Sequence, residues 1–220
     1  MISKPFSQAC ENNKVPILEI LQQVWPEHLY NGAQVLEIGA GTGQHAAFFA
    51  SQLPWLRWQP TDQAHYLPGC RLWVEDARTR KAHNLQEPQV LDVLHPEWPP
   101  IEADAAFSAN TAHIMSWPAV EALFHGLGRR LPFHGVFCLY GPFRYQGQHT
   151  SESNQRFDQQ LRQQDSRMGI RDLDALLPLG ASVGFELEAD HAMPANNRTL
   201  VWRLQHRPSP QPSPKGRGSL

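Results

Sequence analysis

Val35-Leu36-Glu37-Ile38-Gly39-Ala40-Gly41-Thr42-Gly43 decides how this chain is read. A short apolar run of strand type ends in three alternating glycines, and the following G-Q-H-A-A-F-F-A-S-Q-L (43–53) has helical spacing until Pro54 stops it. Glycine lets the backbone turn tightly and approach a ligand without a Cβ in the way. Three alternate glycines exceed what a plain strand-to-helix turn requires. In an open parallel sheet, ligands bind where strands end at their carboxyl edge and the strand order reverses. The stretch therefore marks a cofactor crevice.

Working outward, extended and helical segments alternate. Residues 13–25 carry apolar side chains near 3.6-residue spacing, with Pro16 expected in the first turn. Strands are expected at 34–38, 55–59 (ending at Pro60-Thr61-Asp62), 89–91 (ending at Asp92), 103–109 (ending at Asn110) and 135–140 (cut by Gly141-Pro142). Helices are expected at 43–53, 68–85 and 117–131. Such alternation predicts an α/β fold, a doubly wound Rossmann-like sheet with helices on both faces and right-handed crossovers. The end differs: 181–191 and 199–205 are two extended runs joined by M-P-A-N-N, a C-terminal antiparallel pair on a mostly parallel sheet. Between strand five and that pair, the polar segment 143–178 has helical spacing at 151–164 and is long enough to cover the sheet's carboxyl edge.

Composition narrows the function classes. Of 220 residues, 41% are hydrophobic, enough for one packed core. No run approaches the roughly 18 apolar residues of a membrane span, and residues 1–10 lack the apolar run of a secretory signal. Cys10, Cys70 and Cys138 are odd in number and form no C-x-x-C, which argues against a disulfide scaffold. A cytoplasmic protein is expected. Residues 207–220 alternate Pro with small polar residues and are expected to be a disordered basic tail beside a body at 1–206. Removing the tail's three cations, Arg207, Lys215 and Arg217, takes the formal net charge from −2 to −5. An acidic body lacks the footprint for phosphate backbones, so no nucleic-acid partner is expected.

The motif alone leaves the cofactor open. The register Gly41-Thr42-Gly43-Gln44-His45-Ala46 also fits the dinucleotide fingerprint, which keeps a nicotinamide oxidoreductase in view. Glu37 favours S-adenosylmethionine, because a carboxylate there suits a cationic amino-acid moiety and is a poor neighbour for a pyrophosphate. Asp62 follows the second strand, where a carboxylate can accept from ribose hydroxyls; the lesser alternative is a residue of a Pro-Thr-Asp turn. Asp92 could meet an adenine amino group or simply end a strand. Asn110 faces the same crevice or caps the backbone.

In this order, E-I-G-A-G-T-G, Asp62 and Asp92 resemble the class I S-adenosylmethionine-dependent methyltransferases. N-N-K-V-P-I-L, E-I-G-A-G-T-G-Q-H-A, W-Q-P-T-D, N-T-A-H-I-M-S-W, Y-G-P-F, S-N-x-x-F-D-x-x-L-R, G-I-R-D-L and M-P-A-N-N together resemble a narrower methyltransferase-like family catalogued as a domain of unknown function. The resemblance implies the seven-stranded methyltransferase fold. It also implies an S-adenosylmethionine site in which Glu37, Gly39, Gly41 and Gly43 serve the methionine end, Asp62 the ribose and Asp92 the adenine. Relatives are expected to carry bulkier apolar residues where this chain has Thr111-Ala112.

Methyl transfer requires nucleophile, methyl and sulfur in line with water excluded, and a base where the nucleophile is protonated. His113, Tyr140 and Asp158 are the candidates. In the 151–164 segment, Asn154 and Asp158 could be presented to substrate by a lid, or Asp158 and Arg162 could form a surface i,i+4 pair. Asn196 and Asn197 are turn residues that could also touch substrate. Eleven histidines show no ligand-type spacing with a nearby acid, so no metal is expected. No N-P-P-Y or D-P-P-Y follows the fourth strand, and no cysteine sits in a Pro-Cys pair. A small-molecule acceptor is therefore expected. The alternative is a methyltransferase-fold binding module without catalysis.

Overall fold

Helices and strands are interspersed along the chain in the computed structural model, which describes residues 3–206. In chain order these are α1 (Gln8–Val24), β1 (Gln34–Ile38), α2 (Gln44–Gln52), β2 (Arg57–Asp62), α3 (Leu67–Thr79), β3 (Gln89–Val90), β4 (Ala105–Ala109), α4 (Trp117–Arg130) and β5 (Val136–Gly141). Then come β6 (Phe143–Tyr145), β7 (Gln148–His149), α5 (Glu152–Gln164), β8 (Arg171–Asp172), α6 (Leu173–Ser182), β9 (Phe185–Met193) and β10 (Asn197–Leu204). Seven strands form one sheet in the order β3-β2-β1-β4-β5-β10-β9. The first five run parallel, and β10 is antiparallel to both β5 and β9. The tail expected at 207–220 lies outside the described residues.

Central strands buried on both faces read as continuous apolar runs. Alternation along each strand divides the core. Val35, Trp58, Phe107, Val136 and Cys138 face α1, α2 and α3, while Leu36, Ala106, Phe137, Leu139 and Trp202 face α4 and α6. Trp25, Phe49, Trp58 and Phe107 pack ring on ring beneath α1 and α2, with centroids 5.3–5.8 Å apart. Each such burial contributes about 1.5–3 kcal/mol, with up to about 1.5 kcal/mol more per aromatic pair.

Several boundaries differ from the expectations. The second strand does not stop at Pro60 but continues to Asp62. Trp58 turns its amide to Asn84 and its carbonyl to Gln86 on the β3 side. Pro60, two residues on, turns its nitrogen the same way, at a level where β3 has not yet begun, so the missing N–H costs no ladder bond. The third helix ends at Thr79 rather than at 85, because Lys81 takes φ +76°. Helix α1 begins at Gln8, where the Ser7 hydroxyl accepts from the Cys10 amide as N-cap. Pro16 therefore sits inside the helix and not in its first turn. Helix α6 runs to Ser182, so the strand expected from 181 starts at Phe185. Segment 143–178 adds a small sheet, β7-β6-β8, whose two- and three-residue strands are too short to leave a periodic signal.

Candidate active site

The carboxyl ends of β1, β2, β3 and β4 open into a cleft of about 1,110 Å³ at the point where the order reverses between β1 and β4. The three glycines of its floor do different work. Gly39 has φ +76°, and a Cβ there would sit 2.4 Å from Thr111 Cγ2. Gly41, at φ +55°, lines the cleft, and a Cβ would meet nothing within 4 Å. Gly43, at φ +86°, packs on α3, where a Cβ would lie 2.9 Å from the Cys70 carbonyl oxygen and sulfur. Gly43 is not in the cleft wall, so its glycine serves close packing of α2 on α3.

Asp62 lines the cleft, and its carboxylate holds the loop. One oxygen accepts from the Gly41 amide at 2.7 Å and the other from the Gln63 amide at 2.7 Å. Burial raises its pKa in spite of these two bonds. Each oxygen keeps a further lone pair for a ligand donor. Asp92 lines the same wall; its Oδ1 accepts from the Leu94 amide at 2.9 Å and its Oδ2 faces Gln63 Nε2 at 3.4 Å. Asn110 ends β4 with φ +59°, a conformation that Asn tolerates, and its side of the loop faces the cleft. Glu37 lies behind the loop. It is 2% exposed, accepts from Trp58 Nε1 at 2.7 Å and is absent from the cleft wall. Burial pushes its carboxyl up to about 8.

The three proton-acceptor candidates do not converge. His113 lines the cleft, 6% exposed, with its ring edge-to-face on Phe157 at 5.3 Å. Burial, and then the charge of Arg171, push its pKa down to about 4, so the ring is neutral at neutral pH. Tyr140 is outside the cleft wall: strand parity sets its ring with Val136 and Cys138 in the core under α1. Burial raises its hydroxyl, which faces Asn13 and Asn197. Asp158 is also outside the wall and committed to structure. It accepts from Arg162 Nε at 2.9 Å and from the Ile170 amide at 2.6 Å. Burial raises its pKa, but these bonds outweigh burial and hold it below the ordinary carboxylate value. Neither Tyr140 nor Asp158 is placed to take a proton from a molecule in the cleft.

The carboxamides divide as well. Asn154 and Asn197 line the cleft, whereas Asn196 is exposed at the turn with φ +58°. Asn196 gives its carbonyl to Asn154 Nδ2 at 3.0 Å, which ties α5 to the β9–β10 turn. Sequence reasoning missed the N-terminal wall. Pro5, Ser7 and Cys10 line the cleft. The segment is strapped to α2 by Gln44, which bonds the Ser7 backbone, and to α3 by Trp73 Nε1, which donates to the Pro5 carbonyl at 2.6 Å. Ser7 as an N-cap was the available signal. His45, Arg167 and Met168 in the wall were also missed. Among the described residues no group of three His, Cys, Asp or Glu is arranged to hold a metal ion, and no helix is long and apolar enough to cross a membrane.

The strand order with its antiparallel end is that of methyltransferase-type doubly wound sheets, and comparison with known proteins agrees on the fold. A family model described as "Protein of unknown function (DUF938)" matches residues 4–204, and the chain belongs to that family. The O-methyltransferase family 2 protein of Planctomyces limnophilus, solved in complex with apigenin, superposes with TM-score 0.73 at 14% identity, covering 89% of this chain and 59% of its own. The S-adenosylmethionine-dependent methyltransferase SibL gives 0.69 at 16%, covering 91% and 56%. PigF, solved with SAH, gives 0.68 at 13%, covering 88% and 56%. The chain thus spans a little over half the length of these proteins, and at such identities the likeness is one of fold.

Proposed function

We propose that this chain is an S-adenosylmethionine-dependent methyltransferase acting on a small-molecule acceptor. The observation that carries the reading is the meeting, in one cleft, of an open glycine at position 41 with Asp62, Asp92 and Asn110 at the ends of β2, β3 and β4. This donor and acceptor set fits the cofactor. Asp62 has lone pairs for ribose hydroxyls, Asp92 accepts from the adenine amino group, and Asn110 flanks the reacting centre. Gly39 and Gly41 hold the loop open for the methionine end. Glu37 adds a buried carboxyl behind that loop, and Gly43 keeps the loop seated on α3. When bound, the cofactor supplies a methyl group on a sulfonium that is already a leaving group. The protein's part is to orient and to exclude water. His113, Asn154 and Asn197 present hydrogen-bonding groups to the acceptor, with Phe157 and Met168 as apolar walls.

Of His113, Tyr140 and Asp158 only His113 lines the cleft, and burial weakens it as an acceptor; this favours one second reading, a binding module that keeps the cleft without catalysis. Incubation with trideuteromethyl-labelled cofactor and a small-molecule cell extract separates the two. A labelled product formed by the wild type and lost in Asp62→Ala supports methyl transfer. Cofactor bound but never consumed across extracts supports the module.

A further inference from the structure

Among the described residues, the charges around the acceptor half of the cleft are paired with one exception. Asp158 pairs with Arg162 at 2.9 Å, Asp165 with Arg167 at 2.7 Å and Asp172 with Arg144 at 4.0 Å. Arg171 is the cation left over. It is buried, and its hydrogen bonds go to carbonyl oxygens: Ala112 at 2.9 Å, Arg167 at 2.9 Å and Met115. Carbonyls satisfy the guanidinium without cancelling its unit charge, and low surrounding polarisability lets that charge act over several ångströms. Two of these carbonyls belong to the loop after β4 that carries His113 into the cleft. The charged groups around His113 are Arg171 on β8, the Asp158–Arg162 pair on α5 and the Asp165–Arg167 pair at the mouth; His149 lies beyond, 3.7 Å from Asp158. Carboxylates Asp62 and Asp92 stand at the opposite, cofactor end. The cleft is thus polarised, negative where a sulfonium would lie and positive where the acceptor would lie. The acceptor end is also apolar, with Ile114 and Phe157 in its wall and both well exposed.

Resting on the methyltransferase reading, we propose that the acceptor is an oxygen acid on an apolar body, bound as its anion in the field of Arg171 with His113 as hydrogen-bond donor. An oxygen anion needs no base, which suits a cleft from whose wall Tyr140 and Asp158 are missing and in which burial weakens His113 as an acceptor. Its lone pair forms the new O–C bond, the C–S bonding pair returns to sulfur, and the two opposite charges cancel, so no proton has to leave. Arg171 is a positioning residue here, since it reaches the acceptor only through its field and through the loop it clamps.

Calorimetric titrations with naphthoate, para-nitrophenolate, naphthamide and naphthylmethylammonium test the proposal, on the free protein and with S-adenosylhomocysteine present. The expected result is that an anion binds about tenfold or more tightly than the isosteric amide, with the ammonium weakest. The two anions distinguish a carboxylate acceptor from a phenolate. Arg171→Met erases the preference, and Arg171→Lys, which keeps the charge, retains part of it. His113→Gln, which keeps a donor, holds anion affinity, whereas His113→Phe lowers it. These variants compare ligands on one protein, so a modest loss of stability does not imitate the effect. Amide binding as tight as both anions, or tightest binding of the ammonium, overturns the proposal. Failure of S-adenosylhomocysteine to bind overturns the cofactor reading instead, and the comparison on free protein still decides this one.

Discussion

Gly39 and Glu37 show how single positions set the cleft. A methyl group at Gly39 meets Thr111 Cγ2 at 2.4 Å, on a backbone with φ +76°. Gly39→Ala should therefore cost about 2–3 kcal/mol, from strain in the left-handed region and overpacking. Thr111→Ser removes the offending methyl while keeping the hydroxyl that bonds Ser108 at 2.6 Å. In urea denaturation the double variant should be less destabilised than the sum of the two single changes; strict additivity would show that the contact is not the cause. Glu37 gives a pH test. Its folded-state carboxyl is raised by burial to about 8 from an ordinary value of 4.5. The folded protein thus holds a proton that the unfolded chain has released, and stability falls as pH rises from about 4.5 to 8. Glu37→Gln keeps an acceptor for Trp58 and cannot ionise, so its melting temperature should gain on the wild type between pH 5 and 9. Parallel melting curves for the two proteins would count against a protonated Glu37.

At the scale of elements, the α5–β8 segment hangs on Asp158. Removing its carboxylate leaves the Ile170 amide without a partner and frees Arg162, a loss of about 2 kcal/mol. Asp158→Ala should accordingly raise hydrogen exchange at Ile170 and across α5, while β1 and β4 stay protected; unchanged exchange at Ile170 would refute the anchoring role. Because this carboxyl is held below its ordinary value, the stability it gives is present above pH about 4 and fades in more acid solution. These elements also show what the sequence reveals. Strands β1, β4 and β5 were legible because buried parallel strands are continuous apolar runs, and the glycine loop because its chemistry is local. Tyr140 suits a base at a strand end as well as a core aromatic, and period-two parity with Val136 and Cys138 is what points it into the core. Asp158 was legible as an i,i+4 partner of Arg162, but its bond to Ile170 spans a turn that no periodicity reports. The N-terminal wall depends on contacts between Ser7 and Gln44, and between Pro5 and Trp73, which are far apart in sequence and invisible to local patterns.

For the molecule as a whole, the seven-stranded order with its antiparallel end brings four strand termini to one crevice, and the proposed function rests on what lies there. The resemblance in the sequence implies the cofactor, and Gly41, Asp62, Asp92 and Asn110 in the cleft wall are the groups that would receive it under the proposed function. The central claim is tested most directly by calorimetric titration with S-adenosylhomocysteine, beside NAD as control and Asp62→Ala as variant. The account predicts saturable binding of one ligand per chain, lost or strongly weakened in Asp62→Ala and absent with NAD. At a hundredfold excess over Kd the ligand should add about 2.7 kcal/mol, seen as a rise of roughly 5–10 °C in melting temperature. No binding to a folded wild-type protein, or equal binding to Asp62→Ala, would contradict it.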